Sequence, residues 1–180
     1  MTRERFIQLI SAEQEPLRRF LLALCCGNSA EADDIAQDAM LKAYLAMDRY
    51  KQKAKFSTWL CKIALNTFLD RRRAAGSGLL SESPSELKTV PAMSTADDAF
   101  KYQELYLALS KLPPKERSAV LLFYIQGYSV KEIANITDST QSAVKTRLSR
   151  ARSQLKTLIE NDVVVVFVNI HSVNIVCFCE

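Results

Sequence analysis

From Phe6 to Cys26 apolar residues recur at Phe6, Leu9, Ile10, Leu17, Phe20, Leu21 and Leu24, the spacing of one helical face. Pro16 falls inside this pattern, where it either kinks the helix or opens a new one at its first turn. Gly27-Asn28-Ser29 ends it. A second helix is predicted from about Glu31 to Ala46, with Glu31, Asp33 and Asp34 in the first turn, where they complement the positive end of the helix dipole. Ile35, Ala39 and Ala43 make its apolar stripe, while Asp34, Gln37, Asp38 and Leu41 share a different face for which no intramolecular partner is evident. A loop, Asp48 to Lys55, leads to a third helix from Thr58 to about Arg73, with Ser57 as its N-cap and Trp59, Leu60, Ile63 and Ala64 in its buried stripe.

Between Ala74 and Thr95 the periodicity collapses into a stretch rich in Gly, Ser and Pro, which reads as a linker. Helical spacing resumes near Ala96 with Phe100, Leu105, Leu107, Leu109 and Leu112, and Pro113-Pro114 stops it. Lys115 to Gln126 is the next predicted helix, with Val120, Leu121, Phe123 and Tyr124 mostly buried and Gly127 as its C-terminal cap. Ser129-Val130-Lys131-Glu132 has the form of a capping box and opens a short helix through Ile136. After the turn Thr137-Asp138-Ser139, Thr140 caps a long helix from about Gln141 to Ile159, with core positions Val144, Leu148, Ala151, Leu155 and Leu158 or Ile159. The expected fold class is all-α: two small helical domains, 1–75 and 97–160, joined by a flexible linker over 76–96 and followed by an atypical tail over 161–180. The second domain contains a helix-turn-helix.

Charge changes this picture from a fold to a candidate function. The net charge of the 180 residues is only +4, but its distribution is uneven. No acid lies between Asp48 and Asp70, where Arg49, Lys51, Lys53, Lys55 and Lys62 fall, with Arg71 to Arg73 directly after. No acid lies between Asp138 and Glu160, where Lys145, Arg147, Arg150, Arg152 and Lys156 fall. Solvated helix faces usually mix signs, so two acid-free runs read as two footprints on a polyanion.

The second run lies on the last helix of the helix-turn-helix, the element that enters the major groove in this motif. Gln141, Ser142, Lys145, Thr146 and Ser149 face away from the Val144–Leu148–Ala151 stripe, with Arg150 and Arg152 flanking them. Lys and Arg donate to guanine acceptors and Gln pairs with adenine. Arg147 and Arg152 are better placed for phosphate, which positions without specifying sequence. The first run interleaves cations with Tyr50, Phe56, Trp59 and Phe68, the mixture that single-stranded nucleic acid needs. Trp59 and Phe68 fit a helix core better than a stacking surface, whereas Tyr50 lies in the loop and is the better candidate to meet an unpaired base. Asn66 is either a satisfied local amide or a base reader, and spacing leaves both open.

Catalytic chemistry finds little support. His171, the one histidine, lies in the tail, and there is no glycine-rich phosphate loop and no pair of acids in a recognisable cleft. Cys25, Cys26, Cys61, Cys177 and Cys179 form no CxxC pair, so no metal site and no cofactor is expected, and reduced core cysteines suit a cytoplasmic protein. Met1–Glu4 shows no secretory pattern. The tail VVVVFVNIHSVNIVCFC is apolar and β-prone, but at 17 residues with two Asn, a His and a Ser it is a poor membrane span, so no stable membrane insertion is expected. An altered reading frame and an aggregation-prone extension both fit it.

The order of four segments carries a family resemblance: AEADDIAQDAMLKAYLAM (Ala30–Met47), FSTWLCKIALNTFLDRRR (Phe56–Arg73), LPPKERSAVLLFYIQGYSVKEIA (Leu112–Ala134) and SAVKTRLSRAR (Ser142–Arg152). Together they resemble bacterial sigma factors of the extracytoplasmic-function (ECF) class over roughly residues 5 to 160. The resemblance implies a non-enzymatic protein that binds core RNA polymerase and promoter DNA and is commonly held by an anti-sigma factor. It implies that Asp33, Asp34, Gln37, Asp38 and Leu41 dock on polymerase, and that Tyr50, Lys51, Lys53, Lys55, Trp59, Lys62 and Asn66 handle the opened −10 element. It further implies that Lys145, Thr146, Ser149 and Arg150 read the −35 element. A polymerase-independent helix-turn-helix regulator is the alternative, and it would have no use for the Asp34–Leu41 face or the aromatic-cationic loop. In this family the turn usually reads leucine-glycine-isoleucine. Thr137-Asp138-Ser139 lacks that apolar pair, so weaker packing of the last helix is expected, with a gain in Tm on Thr137→Leu. Asp138 suits a left-handed conformation.

Overall fold

The computed structural model describes residues 1–51, 54–76, 103 and 105–161, with side chains to Ala74 in the third helix and to Leu158 in the last. All regular structure in the described residues is helical. The first unit consists of α1 (Arg3–Leu24), α2 (Ser29–Leu45) and α3 (Phe56–Gly76). The second consists of α4 (residues 105–110), α5 (Pro114–Val120, continued by a π-helical turn Leu121–Ile125), α6 (Val130–Ile136) and α7 (Gln141–Asn161). The expected linker starts at the last residue of α3 and otherwise lies outside the described residues, as do the helix start near Ala96 and the tail beyond residue 161.

The caps explain where the helices begin. Thr2 accepts from the Arg5 amide and Asn28 from the Glu31 amide, so α1 and α2 start two or more residues ahead of their apolar patterns. Pro16 neither breaks nor restarts α1, which runs unbroken through it. Ser57 is not a cap either: α3 already begins at Phe56, and its buried positions are Phe56, Thr58, Leu60, Cys61, Ala64, Leu65, Thr67 and Phe68, with Trp59 and Ile63 at the margin. The expected long helix after Lys115 is an α-helical start followed by the π turn. That turn widens the ring so that the Gln126 amide donates to Leu121 O at 3.1 Å, and it leaves Phe123 and Tyr124 half exposed. Gly127 closes it at φ +69°, as a C-terminal glycine should. Ser129 and Glu132 form both halves of the capping box, and Thr140 accepts from the Ala143 amide at 3.2 Å. Val144, Leu148, Ala151 and Leu155 are buried as the periodicity requires.

The two units pack against each other. α1 meets the π turn and α5, and α3 meets α6. Arg117 is the principal tie. Only 8% exposed, it sends Nη1 to Leu24 O at 2.9 Å, the end of α1, and Nη2 to Ser110 O at 3.2 Å and Leu112 O at 3.1 Å. One planar cation thus serves carbonyls left without helical partners at the ends of two helices, where the dipole favours positive charge. Beside it Gly27 sits at φ +87°, and a Cβ there would lie 2.7 Å from the Tyr106 ring. At the far end of the seam, Lys62 of α3 pairs with Asp138 in the helix-turn-helix turn at 2.5 Å.

The polar turn is internally satisfied. The Thr137 hydroxyl donates to Ile133 O at 2.8 Å, which leaves Ser139 to donate to Thr137 Oγ1 across 2.6 Å, while Arg147 donates to Ser139 Oγ at 3.3 Å. Asp138 between them adopts φ +46°. The expectation of a weakly held recognition helix is therefore replaced by a directed chain of hydrogen bonds from α7 to the end of α6. Thr137→Leu breaks two links of that chain and should lower the unfolding free energy by about 1 kcal/mol rather than raise Tm; an increased Tm would restore the apolar-turn argument. Arg117→Lys keeps the charge but not the fork, and should cost about 2–3 kcal/mol in chemical denaturation, with the seam amides losing hydrogen-exchange protection first.

Candidate nucleic-acid and docking surfaces

α7 presents the expected polar face to solvent. Gln141, Ser142, Lys145, Thr146, Ser149, Arg150 and Arg152 are all exposed, and their backbone is fixed from below by the buried Val144–Leu148–Ala151–Leu155 stripe. Arg147 differs: it is half-buried and held to the turn through Ser139. Arg152 also lies over the Tyr124 ring, 5.8 Å from its centroid. The capping box fixes the supporting helix, and Ser129's amide and hydroxyl hold the Glu132 carboxyl below its usual range.

The first basic run builds a different surface. Tyr50 is half-buried and packs at a tilt against Trp59 (centroids 5.1 Å apart) and edge-on to Phe56 (5.6 Å), and its hydroxyl donates to Ala54 O at 2.7 Å. That bond closes the loop over the start of α3. Lys51 and Lys55 are exposed on either side, and Lys53 lies outside the described residues. Trp59, Lys62 and Asn66 follow at helical spacing on one face of α3. Asn66 is exposed and has no hydrogen-bond partner among the described residues, so the satisfied local amide is not what stands there. Lys62 is engaged by Asp138, which brings the helix-turn-helix turn onto this stripe.

On α2, Asp34, Gln37 and Leu41 are exposed, and Leu41 is 59% accessible. Leu45, one turn further and 75% exposed, continues the face. The sequence reading stopped short of it, although the i+4 spacing from Leu41 would have found it. All three predicted acids have partners, Asp34 the loosest, with Oδ2 3.8 Å from Arg71 Nη1. Asp33 turns to α1, where Arg18 grips it with two bonds of 2.7 and 3.2 Å and holds its carboxyl below the ordinary range. Asp38 is half-buried against Arg71 of α3 at 2.7 Å. Among the described residues no group of His, Cys, Asp and Glu is arranged to hold a metal ion, and no helix is long and apolar enough to cross a membrane. Burial pushes the Cys61 thiol up to about 12 and raises those of Cys25 and Cys26.

Known proteins match this arrangement unit by unit. Residues 9–77 match sigma-70 region 2, and residues 102–155 match sigma-70, region 4. The ECF RNA polymerase sigma factor SigM of Mycobacterium tuberculosis is 32% identical over 157 residues, covering 87% of this chain and 78% of the relative. SigW of Bacillus subtilis is 36% identical over 142 residues, covering 72% of this chain and 76% of the relative. Among solved structures, the sigma factor RpoE in complex with the anti-sigma factor NepR from Bartonella quintana superposes with a TM-score of 0.74 at 26% identity, over 89% of this chain and 99% of that one. CnrH in complex with the cytosolic domain of CnrY gives 0.68 at 25% identity, over 90% and 92%. With both regions present in order, and a 32%-identical relative matched over most of its length, the chain belongs to the ECF class of RNA polymerase sigma factors.

Proposed function

We propose that this sigma factor divides promoter recognition among three surfaces. Residues 1–75, as region 2, bind core polymerase and the −10 element; residues 97–160, as region 4, bind the −35 element; 76–96 link them. The α2 face of Asp34, Gln37 and Leu41, extended by Leu45, docks on polymerase. Tyr50, Lys51, Lys53, Lys55, Trp59, Lys62 and Asn66 take the opened −10 strand. Gln141, Ser142, Lys145, Thr146, Ser149 and Arg150 read −35 base edges, with Arg147 and Arg152 on phosphates. The observation that carries this reading is the pair of exposed faces on opposite units: a capped recognition helix in one and, on α2 in the other, a solvent-facing stripe of Asp34, Gln37, Leu41 and Leu45 whose two leucines are 59% and 75% exposed. A polymerase-independent regulator needs only the first. Promoter selection requires no covalent chemistry from the chain, so it acts as a non-enzymatic subunit in the cytoplasm, where polymerase works. A structural relative, the sigma factor RpoE, is solved with the anti-sigma factor NepR bound, and an anti-sigma factor is the expected further partner here.

The compact arrangement is not the promoter-bound one. Elements numbered −10 and −35 lie about 25 base pairs apart, or about 85 Å along the duplex. A folded chain of 180 residues has a radius of gyration of about 16 Å. The two units must separate to reach both elements, and the Lys62–Asp138 pair must break for Lys62 to meet DNA.

Run-off transcription from a cognate promoter, with and without the chain added to core polymerase, tests the reading directly. Tight duplex binding with no added transcript would favour the polymerase-independent alternative. Asp38→Arg would also disturb the Arg71 pair, so Leu41→Arg is the cleaner probe of docking. It should weaken core binding by about 10- to 100-fold, the loss of one buried leucine contact, while Tm stays near wild type because the residue is exposed. On the DNA side, Lys145→Ala should relax sequence preference at one −35 position. Arg152→Ala should weaken all sequences alike and lower the slope of log affinity against log salt by about 0.9.

A further inference from the structure

Where the units meet, α3, the start of α5 and α7 border an open cleft of about 450 Å³. Five cations line it: Arg72 and Arg73 from α3, Lys115 from α5, Arg147 and Arg150 from α7. Glu116 is the one carboxylate in the lining, and Leu69, Pro113 and Pro114 supply an apolar wall. Glu31 pairs with Arg72 at 2.8 Å and Asp70 with Arg73 at 2.7 Å, but Lys115 and Arg150 have no ion-pair partner among the described residues. Closing the seam therefore gathers like charges that neither unit gathers alone, and this opposes closure unless an anion joins them. The volume suits a small ligand rather than a duplex, and arginine forks suit phosphate oxygens. One further feature needs a donor: Glu116 Oε2 is buried without a hydrogen-bond partner.

We propose that this cleft is a site for a small ligand bearing two or more phosphates, inorganic or nucleoside-linked, and that its occupancy holds the two units together. Both walls are required, so the ligand binds the closed arrangement and stabilises it by mass action. Promoter engagement requires the open one, and the ligand also takes up Arg147 and Arg150; occupancy thus opposes −35 binding. This last consequence rests on the reading of α7 as the DNA face, whereas ligand binding itself does not.

Inorganic pyrophosphate is the first probe, titrated calorimetrically into the full chain against sulfate at equal ionic strength. Saturable binding at one site is expected, together with a Tm that climbs with the logarithm of pyrophosphate concentration. The double substitution Arg73→Ala, Lys115→Ala, which lies outside the proposed DNA face, should weaken binding at least about tenfold, while Lys131→Ala, exposed and remote from the cleft, should not. Ligand-free Tm of each variant checks that it is folded. A nucleoside diphosphate that outbinds pyrophosphate, with the advantage lost in Glu116→Gln, would assign Glu116 to a base N–H. Equal affinities would assign the site to the phosphates alone, and both results support it. Binding indistinguishable from sulfate, or undiminished in the double variant, would overturn the proposal. Run-off transcription without the probe reports separately on the sigma-factor reading, so the two can fail independently.

Discussion

The arrangement depends on Arg117. A buried guanidinium is expensive unless nearly every donor is used, and here both terminal nitrogens are used, on three carbonyls from two chain segments. Only Nε goes without a partner. The same residue finishes α1, orders the residues ahead of Pro113 and joins region 4 to region 2. Gly27 and Tyr106 fit beside it because a side chain at Gly27 would occupy the ring's position. The rest of the seam is mixed: Tyr128 lies beside Leu17, Phe20 and Leu60 of the first unit, Gln126 reaches Pro16 O at 3.4 Å, and Lys62 meets Asp138 at the surface.

Most of the helices were legible because their signals are local. The capping box at Ser129, the glycine at 127 and the α7 stripe each depend on residues within two turns. Caps made by short polar residues carry weaker local signals: Asn28 sits in a Gly-Asn-Ser stretch that reads as a break, yet its side chain caps the start of α2. The π turn had no signature, since a one-residue widening leaves the apolar count almost unchanged. Of the candidate surfaces, the α7 face emerged intact because its residues point outward whatever the tertiary contacts. The partners of Asp33, Asp38 and Lys62 carry no local signal, because each comes from a distant segment, two from other helices and one from the turn at Asp138. Arg117 was invisible for the same reason: at 93 residues from Leu24, nothing in the local pattern separates it from any other helix arginine.

The turn of the helix-turn-helix shows how a departure from family pattern can be accommodated. Two hydroxyls and an arginine replace an apolar contact with hydrogen bonds that run in one direction, and the left-handed residue between them is free to point outward. That outward residue is Asp138, which reaches α3. A single polar turn therefore supports the recognition helix on one side and touches the neighbouring unit on the other.

The reach of Arg117 also sets an order of assembly. The three helices of region 2 are made of contacts close in sequence, and all three are translated before residue 117. Until then the last carbonyls of α1 face water. Closing a loop of 93 residues to cover them costs more entropy than any helix pairing within either unit. The seam is therefore the last element to form, and by the same ranking the first to come apart. The bond from Arg117 to Leu24 O can break while those to Ser110 O and Leu112 O remain, so the two halves can part with the helix ends of the second still held.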